Sequence, residues 1–207
     1  MTRTTGSKGE NTLMALRAAG LERLYTQGFD GMTLRELAAD VGMQAGSLYN
    51  HFTNKQDFLF MLMQHVMSDL ISASEVKLEK APNPRQALLA YVECHVTFHS
   101  ERRKEVQVST TELRSLTPEN YRVIISMRDA YENQLLTILH DGNAEKYWAN
   151  SDPKIATKLI LGMMTSVGVW YRSDGPVALD GIVKIYQSMI ENLLSDDIDT
   201  AKMTVQK

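Results

Sequence analysis

A single cysteine, Cys94, excludes any intrachain disulfide, and a chain with no disulfide framework is expected in a reducing cytoplasm. No apolar run approaches the roughly 20 residues that a membrane span needs, and the opening MTRTTGSKGENT has no apolar stretch of signal-peptide type, so neither a span nor a secretory leader is expected. No run alternates apolar and polar residues as a strand does. No G-x-S-x-G, phosphate-binding loop, dinucleotide fingerprint or H-E-x-x-H is present, so the sequence carries no catalytic signature and no cofactor is implied. Metal-like spacing is confined to Cys94, His95 and His99. Further ligands could come only from Glu93, Glu112 or His65 by tertiary coincidence, so the reading is of histidines in a core or pocket rather than a metal site.

Surplus positive charge is also missing. The net charge is -3, and residues 1–57 hold six basic side chains (Arg3, Lys8, Arg17, Arg23, Arg35, Lys55) against six acidic ones (Glu10, Glu22, Asp30, Glu36, Asp40, Asp57). The segment is therefore neutral, and any phosphate it binds must be held by helix N-termini, hydroxyls and a few placed cations, which predicts modest nonspecific affinity for nucleic acid. Arg3 and Lys8, in the polar first ten residues, are candidates for reaching a phosphate or a minor groove.

What is present is helical periodicity. From Asn11, a candidate cap, Leu13, Leu16, Leu21, Leu24 and Tyr25 mark a first helix that Gly28 and Gly31 end. Thr33 can cap a second helix to Asp40, Gly42 supplies a tight turn, and Gln44 to His51 start again. Two short helices around a glycine turn make a helix-turn-helix, whose second helix enters the major groove. Packing of Leu37, Val41, Leu48 and Phe52 leaves Gln44, Ala45, Ser47, Tyr49, Asn50 and His51 on the outer face. These are small or hydrogen-bonding groups suited to base edges and phosphates.

A long helix then runs from Phe58 to about Lys80 and is stopped by Ala81-Pro-Asn-Pro84. A fifth runs from Pro84 to about Arg102, a shorter one covers Val106 to Ser115, and Thr117-Pro118-Glu119 opens another that Asp141-Gly142 closes. Of the last two helices, one carries Ile155, Leu159, Met163, Val167 and Tyr171, widened by Ile160, Met164 and Trp170. The other carries Leu179, Ile182, Val183, Tyr186, Met189, Ile190, Leu193 and Leu194. Both are too apolar for a single buried face. The expectation is a homodimer through a four-helix bundle of two hairpins, with Met163, Val167, Tyr186, Met189, Ile190 and Leu193 at the interface; the alternative is that both faces are buried within one chain.

The run T-x-x-x-L-A-x-x-x-G-x-x-x-G-x-L-Y-x-H-F-x-x-K-x-x-L from Thr33 to Leu59 resembles the DNA-binding signature of the TetR/AcrR family of bacterial regulators. The resemblance implies an all-α chain with a three-helix helix-turn-helix domain over residues 1–54 and a six-helix ligand and dimerisation domain over 55–207. It implies a palindromic double-stranded DNA operator, repression as the default, and phosphate contacts from Tyr49, His51 and Lys55. Thr33 is a further phosphate candidate, while Gln44, Ser47 and Asn50 face bases. Gln44 departs from the Ser or Thr usual at the cap of the second helix, which puts that cap in doubt.

Two weaker segments, FHSERRKEVQVSTTELRSLTPENY and VWYRSDGPVALDGI, are similar to a subgroup responding to acyl-CoA thioesters. That likeness implies a small hydrophobic effector, with an acyl chain among Met67, Tyr91, Phe98, Met164 and Trp170, His95 in the pocket wall, and Arg102 or Arg103 on the carrier phosphates. The alternative for the arginines is helix-end charges answering the helix dipole. The alternative for the whole chain is a helical ligand-binding or enzyme-like protein whose N-terminal domain no longer binds DNA; the polar face from Gln44 to His51 argues against it.

Overall fold

The computed structural model describes residues 5–148 and 152–195, with the side chains of 5–8 and 10 excepted. Its helices are α1 (Thr5–Gly31), α2 (Leu34–Asp40), α3 (Ala45–Leu48), α4 (Lys55–Leu78), α5 (Pro84–Glu101), α6 (Arg103–Thr111), α7 (Pro118–Ala144), α8 (Pro153–Thr165), α9 (Val167–Trp170) and α10 (Leu179–Ser195). A 3-10 turn, Leu113–Ser115, lies between α6 and α7. Counting α9 as the interrupted continuation of α8 gives three helices and then six, all-α among the described residues. Among the described residues no helix is long and apolar enough to cross a membrane.

By packing, the chain falls into two compact units, Met1–Ser68 with Lys104–Ser126, and Asp69–Arg103 with Met127–Lys207. In the first, Leu16, Leu24, Met32, Leu37, Leu48, Phe58 and Leu59 are fully or almost fully buried. Phe52 meets Phe58 edge to face at 5.0 Å. Segment Lys104–Ser126 belongs here because Lys104 pairs with Glu22 and lies over Tyr25. The Gln56 side chain also brackets the loop before α7, donating to Ser115 O and accepting from Thr117 N.

In the second unit α5 is the central helix, packed by α8, α9 and α10. Asn83 caps it by accepting from Gln86 N at 2.9 Å, with Pro84 in the first turn where its missing N–H costs nothing. Asp152 does the same for α8.

Several boundaries differ from the sequence reading. Helix α1 begins at Thr5, ahead of Asn11, because nothing before Asn11 forbids a helix; its kink is at Gly28, with φ 71°. Helix α7 passes through Asp141-Gly142 to Ala144, since one glycine weakens a helix by only about 1 kcal/mol. The penultimate helix breaks at Ser166, whose hydroxyl turns back to Met163 O at 2.7 Å and competes with the helical ladder. Helix α3 closes after one turn, and His51 N and Asn50 N bond three residues back, to Leu48 O and Ser47 O.

Candidate nucleic-acid interface and effector core

The reader is assembled from local caps. Thr33 Oγ1 accepts from Glu36 N at 3.2 Å and donates to the Glu36 carboxylate at 2.8 Å, so one hydroxyl satisfies an open end of α2. At the other end Gly42 takes φ 65°, while Met43 N bonds Ala38 O at 2.8 Å and Gly42 N bonds Ala39 O at 3.1 Å. This paired closure is a Schellman motif, which a Cβ at position 42 would strain. Arg23 of α1 ties the assembly: its guanidinium bonds Asp40 (Nη2 to Oδ1, 2.9 Å) and lies 3.3 Å from Glu36, reaching both ends of α2. That pairing holds the Asp40 carboxyl below the usual carboxylate range.

Gln44 occupies the cap position of α3 in extended geometry and makes no side-chain cap bond. Its amide is therefore not committed to the helix. Gln44, Ala45, Ser47, Tyr49, Asn50 and His51 are all exposed, whereas Leu48 between them is fully buried. Thr33 is exposed too, with its hydroxyl in the cap. Arg3 and the Lys8 side chain lie outside the described residues.

Lys55 is placed differently from the other reader residues. Its ammonium donates to Phe29 O at 2.8 Å and sits 4.2 Å from the centre of the Phe29 ring, part-buried against the end of α1. That clamp competes with a phosphate for the ammonium's three donors. Lys55→Met is therefore expected to lower the thermal midpoint and weaken binding to all DNA sequences alike, while leaving the slope of log affinity against log salt unchanged. A slope flatter by about one unit would instead mark a lost phosphate contact.

Of the expected effector residues, Met67 is buried in the first unit, on α4, and the others belong to the second. There a column of rings runs along α5. Tyr91 stacks on Tyr131 (centroids 4.9 Å) and donates to Tyr131 O at 3.1 Å, and His95 stacks on His99 at 3.8 Å with an 8° tilt. His95 bonds the Tyr131 hydroxyl through Nδ1 and the Thr165 hydroxyl through Nε2, both at 3.2 Å; His99 Nδ1 donates to His95 O at 3.0 Å. Burial pushes both imidazoles down, His99 to about 4, and the Cys94 thiol up to about 11. Among the described residues no three His, Cys, Asp or Glu side chains could share a metal ion.

Met164 is fully buried, Phe98 is at the edge of the core, and Trp170 is half exposed with its ring parallel to Tyr186. Arg102 pairs with Asp69 at 2.6 Å and covers the Phe98 ring, while Arg103 donates to Gly168 O at 2.8 Å. Both guanidinium groups thus have internal partners, which the sequence could not show. A polar cleft of about 270 Å³ lined by Arg85, Tyr147, Trp148, Glu191, Asn192 and Ser195 includes none of the expected effector residues.

Three of the six expected interface residues serve the single chain's own core: Val167, Tyr186 and Ile190 are buried within it. Met163 and Leu193 are half-buried, and Met189 is exposed. The apolar side chains left in solvent on these helices are Ile155, Leu159, Val169, Trp170, Ile185 and Met189, from 48% to 77% exposed. Periodicity had found the helices to be too apolar without telling which side faces inward.

Residues 16–62 match the family described as bacterial regulatory proteins, tetR family, and residues 81–194 match the tetracyclin repressor-like C-terminal domain. The chain is 22% identical over 189 residues to the HTH-type transcriptional repressor KstR2 of Rhodococcus jostii (strain RHA1), covering 90% of this chain and 92% of that one. It is 24% identical to the fatty acid metabolism regulator protein of Bacillus subtilis (strain 168), covering 88% and 93%. Its fold matches a tetR-family regulatory protein from Rhodococcus RHA1 with a TM-score of 0.82, at 23% identity, over 89% of this chain and 97% of that one. It also matches AibR in complex with isovaleryl coenzyme A and operator DNA, with a TM-score of 0.78, at 22% identity, over 89% and 98%. The chain belongs to the TetR family and is a ligand-responsive transcriptional repressor with a helix-turn-helix DNA-binding domain.

Proposed function

We propose that this repressor acts as a homodimer on a palindromic operator and is released by an acyl-CoA thioester, residues 1–54 reading DNA and 55–207 binding the effector and the second copy. The observation that carries the DNA half is the contrast on the reader. Leu37, Ala38, Leu48 and Phe52 are buried and Arg23, Glu36 and Asp40 are paired, whereas Gln44, Ala45, Ser47, Tyr49, Asn50 and His51 are exposed, as is Thr33 at the start of α2. In this reading Gln44, Ser47 and Asn50 meet bases, Tyr49 and His51 meet phosphates, and Lys55 holds the α1 corner. Gln44→Ala is expected to relax preference at one base position by about 1–3 kcal/mol. Equal discrimination by wild type and variant across single-base operator changes rejects that role.

The dimer half rests on the six exposed apolar side chains of α8, α9 and α10, apolar surface that water does not favour. One short helix reads few base pairs, so a two-fold dimer with readers about one DNA turn (~34 Å) or slightly more apart is what gives a site its length.

For the effector, the similarity to a fatty acid metabolism regulator and to AibR supports the acyl-CoA class. Tyr91, His95, Phe98 and Met164 offer an apolar wall with polar rungs, and being close-packed they imply that the effector selects an opened conformation. The test is fluorescence anisotropy of the protein on DNA from its own upstream region, titrated with a long-chain acyl-CoA and the matching free acid. Release by the thioester at lower concentration than the acid is expected. Occupancy indifferent to both ligands rejects the acyl-CoA class, and no binding to that DNA favours a helical ligand-binding protein that has lost its operator.

A further inference from the structure

We propose that Arg103 is a positioning residue that fixes the dimerisation surface, by strapping α9 to the start of α6 so that Val169 and Trp170 are presented outward. This rests on the dimer reading above. Helix α9 is one turn long, too short to hold itself. Besides the fully buried Val167, it is held by contacts at one-turn intervals along α5 and the first residue of α6. His95 Nε2 meets the Thr165 hydroxyl at 3.2 Å, just before the break at Ser166. Gly168 backs onto His99 O so closely that a Cβ there would come within 3.3 Å of it. Arg103 Nε donates to Gly168 O at 2.8 Å, and Nη2 reaches Val169 O at 3.4 Å.

Those two carbonyls are at the end of α9, where a helix leaves its acceptors open and a guanidinium is the favoured partner. Arg172 also reaches Val169 O, at 3.3 Å, but Gly168 O depends on Arg103. On the opposite side Val169 is 77% exposed and Trp170 lies parallel to the Tyr186 ring of α10, so the strap sets two members of the exposed apolar patch. Arg103 is also the first residue of α6, two residues beyond the end of α5.

The experiment compares the full chain with Arg103→Gln and Arg103→Lys. It measures the dimer dissociation constant by sedimentation velocity and the accessibility of Trp170 by acrylamide quenching, with Trp170→Phe identifying its share of the emission beside Trp148. Arg103→Gln should weaken the dimer roughly tenfold and make Trp170 more quenchable, as loss of a charged hydrogen bond predicts. Arg103→Lys, keeping the charge and one donor, should recover most of both. An unchanged dimer constant in Arg103→Gln overturns the proposal, whether or not Trp170 responds. A monomeric wild type removes the dimer reading instead, and Trp170 quenching alone then decides whether the strap exists. Should Arg103→Gln fail to fold, Thr165→Val, which removes the His95 rung at an exposed position, is read by the same two measurements and the same criteria.

Discussion

Met189→Glu combined with Leu159→Glu is expected to convert the protein to a folded monomer that no longer holds a palindromic site. Both side chains are more than half exposed in the single chain, so the charges cost the monomer little. In a dimer the same carboxylates would be buried without partners, at about 3–5 kcal/mol each, enough to abolish association at micromolar concentration. Ile190→Glu, one residue along, should behave oppositely, because Ile190 is fully buried inside the chain and the charge would unfold it. Light scattering and helicity by circular dichroism separate the outcomes: low mass with intact helix for the double variant, lost helix for Ile190→Glu. A dimeric double variant would place the interface elsewhere.

Acid should unfold this protein well above the range in which carboxylates alone would. His95 and His99 are buried and neutral, with folded pKa values below the ordinary 6.5, His99 at about 4. Between those values the unfolded chain binds protons that the folded chain refuses, so the stability they contribute is complete above about 6.5 and lost as pH falls toward 4. For His99 alone the gap of about 2.5 units corresponds to about 3 kcal/mol. Stacking at 3.8 Å makes a second proton harder still, and Tyr91, Tyr131 and Cys94 around the pair are buried with their own pKa values raised, offering no anion in compensation. Urea unfolding at pH 7.5, 6.0 and 5.0 should show falling stability, with the slope reduced in His99→Gln. Constant stability across the three would contradict the buried neutral pair.

The reader was legible because its determinants are local: Thr33 and Glu36, Gly42, and the buried spacing Leu37 to Leu48 act within a dozen residues. Arg23 on Asp40 and Lys55 on Phe29 O were not, since both join residues 17 or more apart through side chains that also suit solvent. The same holds for Arg103, which sequence suggests only as a cation near a helix end while its acceptor lies 65 residues away. On α10, periodicity named Met189 and Ile190 together, and only the packing of α5 and α8 separates the one facing solvent from the one in the core.

Helix α3 is a single turn without a side-chain cap, followed by residues in looser three-residue bonding. The consequence is calorimetric. A recognition element of one helical turn is expected to tighten on the operator, so operator binding should show a favourable enthalpy opposed by entropy and a heat-capacity change more negative than rigid docking of the same surface would give. Gln44→Ser, which supplies the absent cap, should shrink that entropy penalty and slow dissociation, even where it alters which base is preferred.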